Sequence, residues 1–174
     1  MNSVIERCLQ AAQFDDQRLE VRREMVDLHK LVSDVLTAGG QPERVQVQMP
    51  HALTVRTDRQ LLFIALHNLL ENACKYAAAD TPVTLNLSMG GVGSAGPCVL
   101  LTVANVPGAS GWPDPQRVFE KYYRSPSARR MAGTGLGLYL VRHLVLKIGG
   151  AVRYEPNSTQ VRFTVDLPVA LRGV

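Results

Sequence analysis

Two stretches carry residues with chemical capability. In HNLLENACKYA (67–77), Asn68, Asn72, Lys75 and Tyr76 recur at i, i+4, i+7 and i+8. At about 100° per residue these four share one helical stripe. Leu62, Leu66, Leu69 and Ala73 form the adjoining core stripe, and Leu61 and Ala65 lie on the asparagine side. The amides are therefore not expected to face bulk water, where an unpaired amide would cost least. One reading is a phosphate and metal site, since amide oxygens suit a hard cation and a lysine suits phosphate. The other is a polar helix edge with a Glu71–Lys75 pair. The second stretch is GTGLGL (133–138), followed by YLVRHLV. Glycines allow close backbone approach, and a helix N-terminus presents unpaired N–H groups, which together make an anion site. The spacing fits neither GxGxxG after a strand nor a loop ending in GK[ST]. A plain loop-to-helix junction is the alternative.

Around these stretches the chain must build the elements that hold them. Val4, Ile5, Cys8, Leu9 and Ala12 predict a first helix, and Leu19–Val26 reads as a strand. Asp27 is an N-cap for a helix through Leu36, stopped by Gly39, Gly40 and Pro42. Arg44–Met49 alternates as a half-buried strand, and a short segment, Leu53–Arg56, follows. Asp58 caps the long asparagine helix, Arg59–Ala77. Val83–Ser88 and Cys98–Ala104 read as strands joined through a glycine-rich hairpin turn. A loop over Gly108–Pro115, an amphipathic piece over Gln116–Tyr123 and a polar loop over Ser125–Ala132 come next. Gly133–Gly137 opens a helix to Ile148, and Ala151–Glu155 and Gln160–Leu167 close the chain as strands. Strands and helices do not alternate regularly, so the expected fold is a two-layer α/β sandwich with a mixed sheet, not a Rossmann fold.

With 174 residues, 46% of them hydrophobic, the chain can bury one domain's core and is not a disordered segment. No stretch approaches the roughly 18 apolar residues of a membrane span. Glu6, Arg7 and Gln10 interrupt the N-terminus where a signal peptide needs an apolar run. Cys8, Cys74 and Cys98 lack CxxC spacing, and His29, His51, His67 and His143 are scattered, so neither a disulfide framework nor a zinc site is expected. A reducing cytoplasm suits such a chain. Part of the +4 net charge sits in Lys121, Arg124, Arg129 and Arg130. That stretch would attract a polyanion or stand as a solvated loop. With no DNA- or RNA-reading motif beside it, nucleic acid is not an expected partner.

Taken in order, the asparagine helix, the hairpin, the Asn105 loop, VFEKYYR (118–124), the basic loop and GTGLGL closely resemble the ATP-binding domain of sensor histidine kinases. That domain belongs to the superfamily of gyrase, Hsp90 and MutL ATPases and has the Bergerat fold, a mixed sheet packed on one side by helices. HNLLENACKYA resembles its N box, VFEKYYR its F box and GTGLGLYLVRHL its G2 box, and the resemblance covers about Glu20 to Leu167. It implies ATP and Mg²⁺ as ligands. Asn68 would contact phosphate or the metal's waters, Asn72 would give an amide oxygen to Mg²⁺, Lys75 would neutralise phosphate, and Tyr76 would lie along base or ribose. Gly133, Thr134, Gly135, Leu136 and Gly137 would meet phosphates through backbone N–H groups. Phe119 would anchor a lid over about Lys121–Ala132, with Arg124, and Arg129 or Arg130, near the phosphates.

One box departs. Where the family's G1 box has an aspartate that accepts the adenine amino group, this chain has Asn105, followed by Pro107, Gly108 and Gly111. An asparagine still accepts through its oxygen but lacks the charge. A phosphoacceptor box is also missing, for His29 is followed by Lys-Leu-Val-Ser. The resemblance therefore implies a catalytic piece whose acceptor histidine lies upstream, in a dimerisation domain. Residues 1–17 would be the tail of that domain's helix and a linker, and 18–174 the ATP-binding domain. A response regulator would act downstream. The location would be cytoplasmic, with any membrane anchor in the missing parts. The rival readings are a degenerate docking module that has lost ATP and a stand-alone anti-sigma-type serine kinase.

Overall fold

The computed structural model describes residues 20–40, 42–91 and 96–169. The helix expected over Val4–Ala12, and the division of the chain at residue 17, lie outside the described residues. The chain first forms strand β1 (Glu24–Asp27), which pairs antiparallel with β3 (Thr54–Thr57) in a two-stranded ribbon. The strand read over Leu19–Val26 is thus shorter and later, because only four residues find partners on β3. Asp27 caps helix α1 (Leu28–Gly39), accepting from the His29 and Lys30 amides at 2.8 and 3.3 Å. Gly40, at φ +71°, ends it in a left-handed turn that glycine adopts without cost from a side chain.

The main sheet has five strands in the order β2 (Val45–Gln48), β4 (Val83–Gly90), β5 (Cys98–Asn105), β7 (Val161–Pro168) and β6 (Ala151–Tyr154). Only β2 and β4 run parallel, so the sheet is mixed as expected. Alternation decides its faces. Val83, Leu85 and Leu87 on β4, Val99, Leu101 and Val103 on β5, and Val161, Phe163, Val165 and Leu167 on β7 are all buried in one core. Helices α2 (Arg59–Tyr76) and α3 (Gly137–Lys147) pack on each other and on this sheet. The opposite parity carries polar groups such as the hydroxyls of Thr102 and Thr164, 3.2 Å apart across β5 and β7.

Helix α2 is fixed at both ends. Asp58, nearly buried, accepts from the Leu61 amide at 3.0 Å and from the Arg22 amide at 2.8 Å, so one carboxylate caps the helix and ties down the entering chain. At the other end Arg44 donates from Nη1 to the Cys74 carbonyl and from Nη2 to the Ala78 carbonyl, both at 3.0 Å. A cation there also complements the negative end of the helix.

Two stretches gain their backbone detail. Gln116–Tyr123 is a run of turns, with Arg117, Glu120 and Tyr123 amides donating three residues back. Pro113 and Pro115 withhold donors at its start, and Tyr122 adopts φ +64°, which ends any right-handed helix. The helix that GTGLGL opens, α3, takes its first helical residue at Gly137, after Gly135 at φ +74°.

Arg44→Ala should lower stability by about 2 kcal/mol, the usual worth of charge-assisted hydrogen bonds to carbonyls left unpaired. Arg44→Lys should recover less than half of it, since an ammonium does not span two carbonyls. Urea denaturation checks both.

Candidate functional site

An open cavity of about 900 Å³, its mouth included, lies between α2, the loop after β5, the turns at 113–125 and the start of α3. The stripe on α2 forms one wall. Asn68 is the deepest member, 6% exposed, and its Nδ2 donates to the Ile64 carbonyl at 2.8 Å. That bond orients its oxygen toward α3. A Cβ placed on Gly137 would lie 3.3 Å from Asn68 Oδ1, 3.1 Å from Asn72 Nδ2 and 3.7 Å from Asn72 Oδ1. A methyl group there would crowd both amides, so glycine lets the α3 N-terminus sit close to the amide row. Lys75 and Tyr76 continue the wall, with the Lys75 ammonium 4.9 Å from the Tyr76 ring centre.

The lid crosses above Lys75, whose Nζ donates to the Ala132 carbonyl. Arg124, half-buried, donates from Nη2 to the carbonyls of Ala128 and Met131. Ala128 belongs to a short 3₁₀ turn over Ser127–Arg130, and Met131 follows it. The two ends of the lid are clasped by the Tyr122 amide donating to the Gly135 carbonyl at 3.0 Å. Thr134 Oγ1 accepts from the Leu136 amide at 3.3 Å and holds the entry to α3.

Opposite this wall stands Asn105, 4% exposed at the end of the central strand β5. Its Nδ2 donates to the Val106 carbonyl at 3.2 Å, which leaves Oδ1 as its acceptor for a ligand. An aspartate here would set a carboxylate oxygen against that carbonyl, so the loop as built suits asparagine. Gly108 holds the same loop to α2 by donating to the Tyr76 carbonyl at 2.9 Å, and a Cβ there would come within 3.0 Å of the Ala77 oxygen.

Asn72, Lys75, Tyr76, Asn105, Arg124, Gly133, Thr134, Gly135 and Gly137 thus line one cavity, as the sequence reading grouped them. Asn68 sits just behind the wall. Gly108, Phe119 and Leu136 are not among the lining residues. Phe119 packs edge-on against Phe163, ring centres 6.0 Å apart, and so fastens VFEKYYR to the sheet. The Leu136 side chain is fully buried beside Leu140, leaving only its backbone near the cavity. Side chains of Arg129 and Arg130 lie outside the described residues.

Several lining residues escaped the sequence reading: Ser110, Val118, Tyr123, Val161 and Phe163. Tyr123 had a signal, since it adjoins Arg124 in the same motif. Its hydroxyl accepts from the Asp114 amide at 3.0 Å, and the Arg117 guanidinium lies 4.9 Å from its ring centre. Behind Phe163, the Tyr154 ring stacks at 5.0 Å, and burial pushes its phenol up to about 12.

Residues 57–171 match the family of histidine kinase-, DNA gyrase B- and HSP90-like ATPases. Over 123 residues the chain is 35% identical to the swarming motility regulation sensor protein RssA of Serratia marcescens, covering 69% of this chain and 25% of that protein. Over 154 residues it is 36% identical to the signal transduction histidine-protein kinase/phosphatase MprB of Mycobacterium ulcerans, covering 87% of this chain and 26% of that one. It thus spans about a quarter of the length of these relatives. A solved structure of the mycobacterial sensor histidine kinase MprB superposes with a TM-score of 0.67 at 28% identity, covering 84% of this chain and 98% of the other.

The glycines of the site differ in what they would tolerate. Gly135→Ala would put Cβ 2.7–2.9 Å from three Tyr122 backbone atoms at a left-handed φ, and should cost at least about 3 kcal/mol. Gly111→Ala, at φ +63° with open space around it, should cost only about 1 kcal/mol. Paired denaturation curves measure the difference.

Proposed function

The chain belongs to the histidine kinase-, DNA gyrase B- and HSP90-like ATPase family, and from that premise we propose that it binds Mg·ATP in this cavity for phosphoryl transfer to a histidine. The acceptor would be on a helical dimerisation domain of the same protein, with a response regulator receiving the phosphoryl group next. One observation carries this reading: the amides of Asn68 and Asn72 meet the glycine-rich entry of α3 across Gly137, with Lys75 in line.

Each part has a physical role. Backbone N–H groups from Gly133 to Gly137 offer donors to the phosphates at a helix N-terminus. Lys75 adds a positive charge to the same place once its bond to Ala132 is exchanged for a phosphate oxygen, the stronger acceptor. The residues fit Mg²⁺ as it usually occurs with nucleotides, because Asn72 offers a neutral amide oxygen beside an unfilled space and Asn68 a second one for a bound water. The metal supplies neutralisation of phosphate charge. Tyr76 lies along the base or ribose, and Asn105 Oδ1 accepts from an exocyclic amino group. No general base is needed within this chain, since phosphoryl transfer rests on alignment and charge stabilisation. Among the described residues no helix is long and apolar enough to cross a membrane. The reading places the site on the cytoplasmic side of a sensor.

Calorimetric titration with a non-hydrolysable ATP analogue tests this. Wild type should bind more tightly with Mg²⁺ than without it. Asn72→Ala should lose about tenfold in affinity, on the order of 1.4 kcal/mol, together with the metal dependence, at nearly unchanged Tm. A folded Asn72→Ala variant with wild-type affinity would remove Asn72 from the site, and no binding by wild type would favour the docking-module reading.

Base selection rests on Asn105. Asn105→Ala should weaken the ATP analogue several-fold, by about 1 kcal/mol, and leave the GTP analogue unmoved, because guanine has an acceptor where adenine has its amino group. Equal losses for both nucleotides would place the base elsewhere.

A further inference from the structure

We propose that Arg124 is a positioning residue that shapes the lid from inside before any nucleotide arrives. The inference rests on the cavity being the nucleotide site. The lid is a closed loop, because the Tyr122 amide bonds to the Gly135 carbonyl at 3.0 Å where the chain enters and leaves. Both residues of that clasp stand at positive φ, +64° and +74°. Inside the loop, Arg124, which also lines the cavity, reaches the lid's own main chain. Nη2 donates to the carbonyls of Ala128 and Met131, while Nε is buried without a hydrogen-bond partner.

One of those carbonyls lies within the 3₁₀ turn over Ser127–Arg130 and the other directly after it. At its borders the Ala128 amide donates to the Ser125 carbonyl at 3.0 Å and the Met131 amide to the Ala128 carbonyl at 3.1 Å. A single four-residue 3₁₀ turn opens readily in water. Nη2 alone serves both carbonyls, and the planar guanidinium behind it, with Nε buried, fixes where that nitrogen sits. The unpartnered Nε fits this role. A group serving only to meet phosphate would leave its donors free, whereas Arg124 commits Nη2 to two carbonyls of the lid. Geometry matters here more than charge, so lysine should fail as a replacement.

The test is hydrogen–deuterium exchange by mass spectrometry on the whole chain without ligand, with Arg124→Lys and Arg124→Gln compared to wild type. Amides in 125–132 should exchange about tenfold faster in both variants, the effect of losing one charge-assisted bond, while peptides from β5 and β7 keep wild-type rates. Unchanged lid exchange in Arg124→Lys would overturn the proposal, and so would equal acceleration in the sheet, which would make Arg124 a residue of general stability. Affinities give a second readout. Both variants should lose several-fold affinity for the ATP analogue and none for adenosine, which has no phosphate for the lid to cover. Arg124→Lys retaining wild-type affinity for the ATP analogue would mark a simple charge contact and also overturn it. Because exchange is read without nucleotide, failure of wild type to bind ATP would sink the functional reading alone.

Discussion

The arrangement of the cavity depends on how closely the first turn of α3 approaches the amide row of α2. That approach is set at Gly137, where any side chain would press on Asn68 and Asn72 together. A glycine at a helix start is unfavourable by itself, and three glycines within five residues are more so. The cost is offset next door. Leu136 and Leu140 are fully buried, each worth about 2 kcal/mol of apolar burial, and they hold the glycine-rich turn against the body of the protein. The other partner cannot drift either, since α2 is held by Asp58 at one end and Arg44 at the other. Two helices anchored independently thus present their polar groups to one shared space.

Charge in the cavity follows the same economy. Lys75 and Arg124 are only partly solvated, and each gives hydrogen bonds to main-chain carbonyls of the lid. Half-buried cations without such partners would be destabilising. Carbonyls are neutral acceptors, so the ammonium of Lys75 exchanges readily to an anion's oxygen, and the lid and the ligand compete for one donor. Arg124 is more deeply embedded, with an Nε that solvent does not reach. The two cations differ by position within the fold.

Much of this was legible in the sequence because it is local. Helical spacing alone put Asn68, Asn72, Lys75 and Tyr76 on one side of α2, and Asp27 and Asp58 read correctly as caps. Strands with clear alternation, such as Val45–Gln48, were also legible. What escaped depends on distant partners. Val161 and Phe163 looked like ordinary core residues of a strand, and only the order of β5 and β7 in the sheet brings them to the cavity. Gln116–Tyr123 reads as an amphipathic piece, and prolines beside it and the left-handed Tyr122 make it a run of turns. Motif position reads Phe119 as a lid anchor and Leu136 as a backbone donor, and neither role needs its side chain in the cavity.

The order of the main sheet leaves β2 and β6 as its two borders. Each is only four residues long, half the length of β4, β5 and β7. Their exposed residues are small, polar or charged: Gln46 and Gln48 on β2, and on β6 Ala151 and Arg153, the latter pairing with Asp166 at 3.0 Å and Glu155 at 3.8 Å. A neighbouring molecule seeking to extend the sheet would find a short template and would have to displace ion pairs to use it. Brevity and charge at these borders therefore guard against open-ended strand addition between molecules, the growth mode of fibrils, even though the interior strands are rich in the valines and leucines that such aggregates favour.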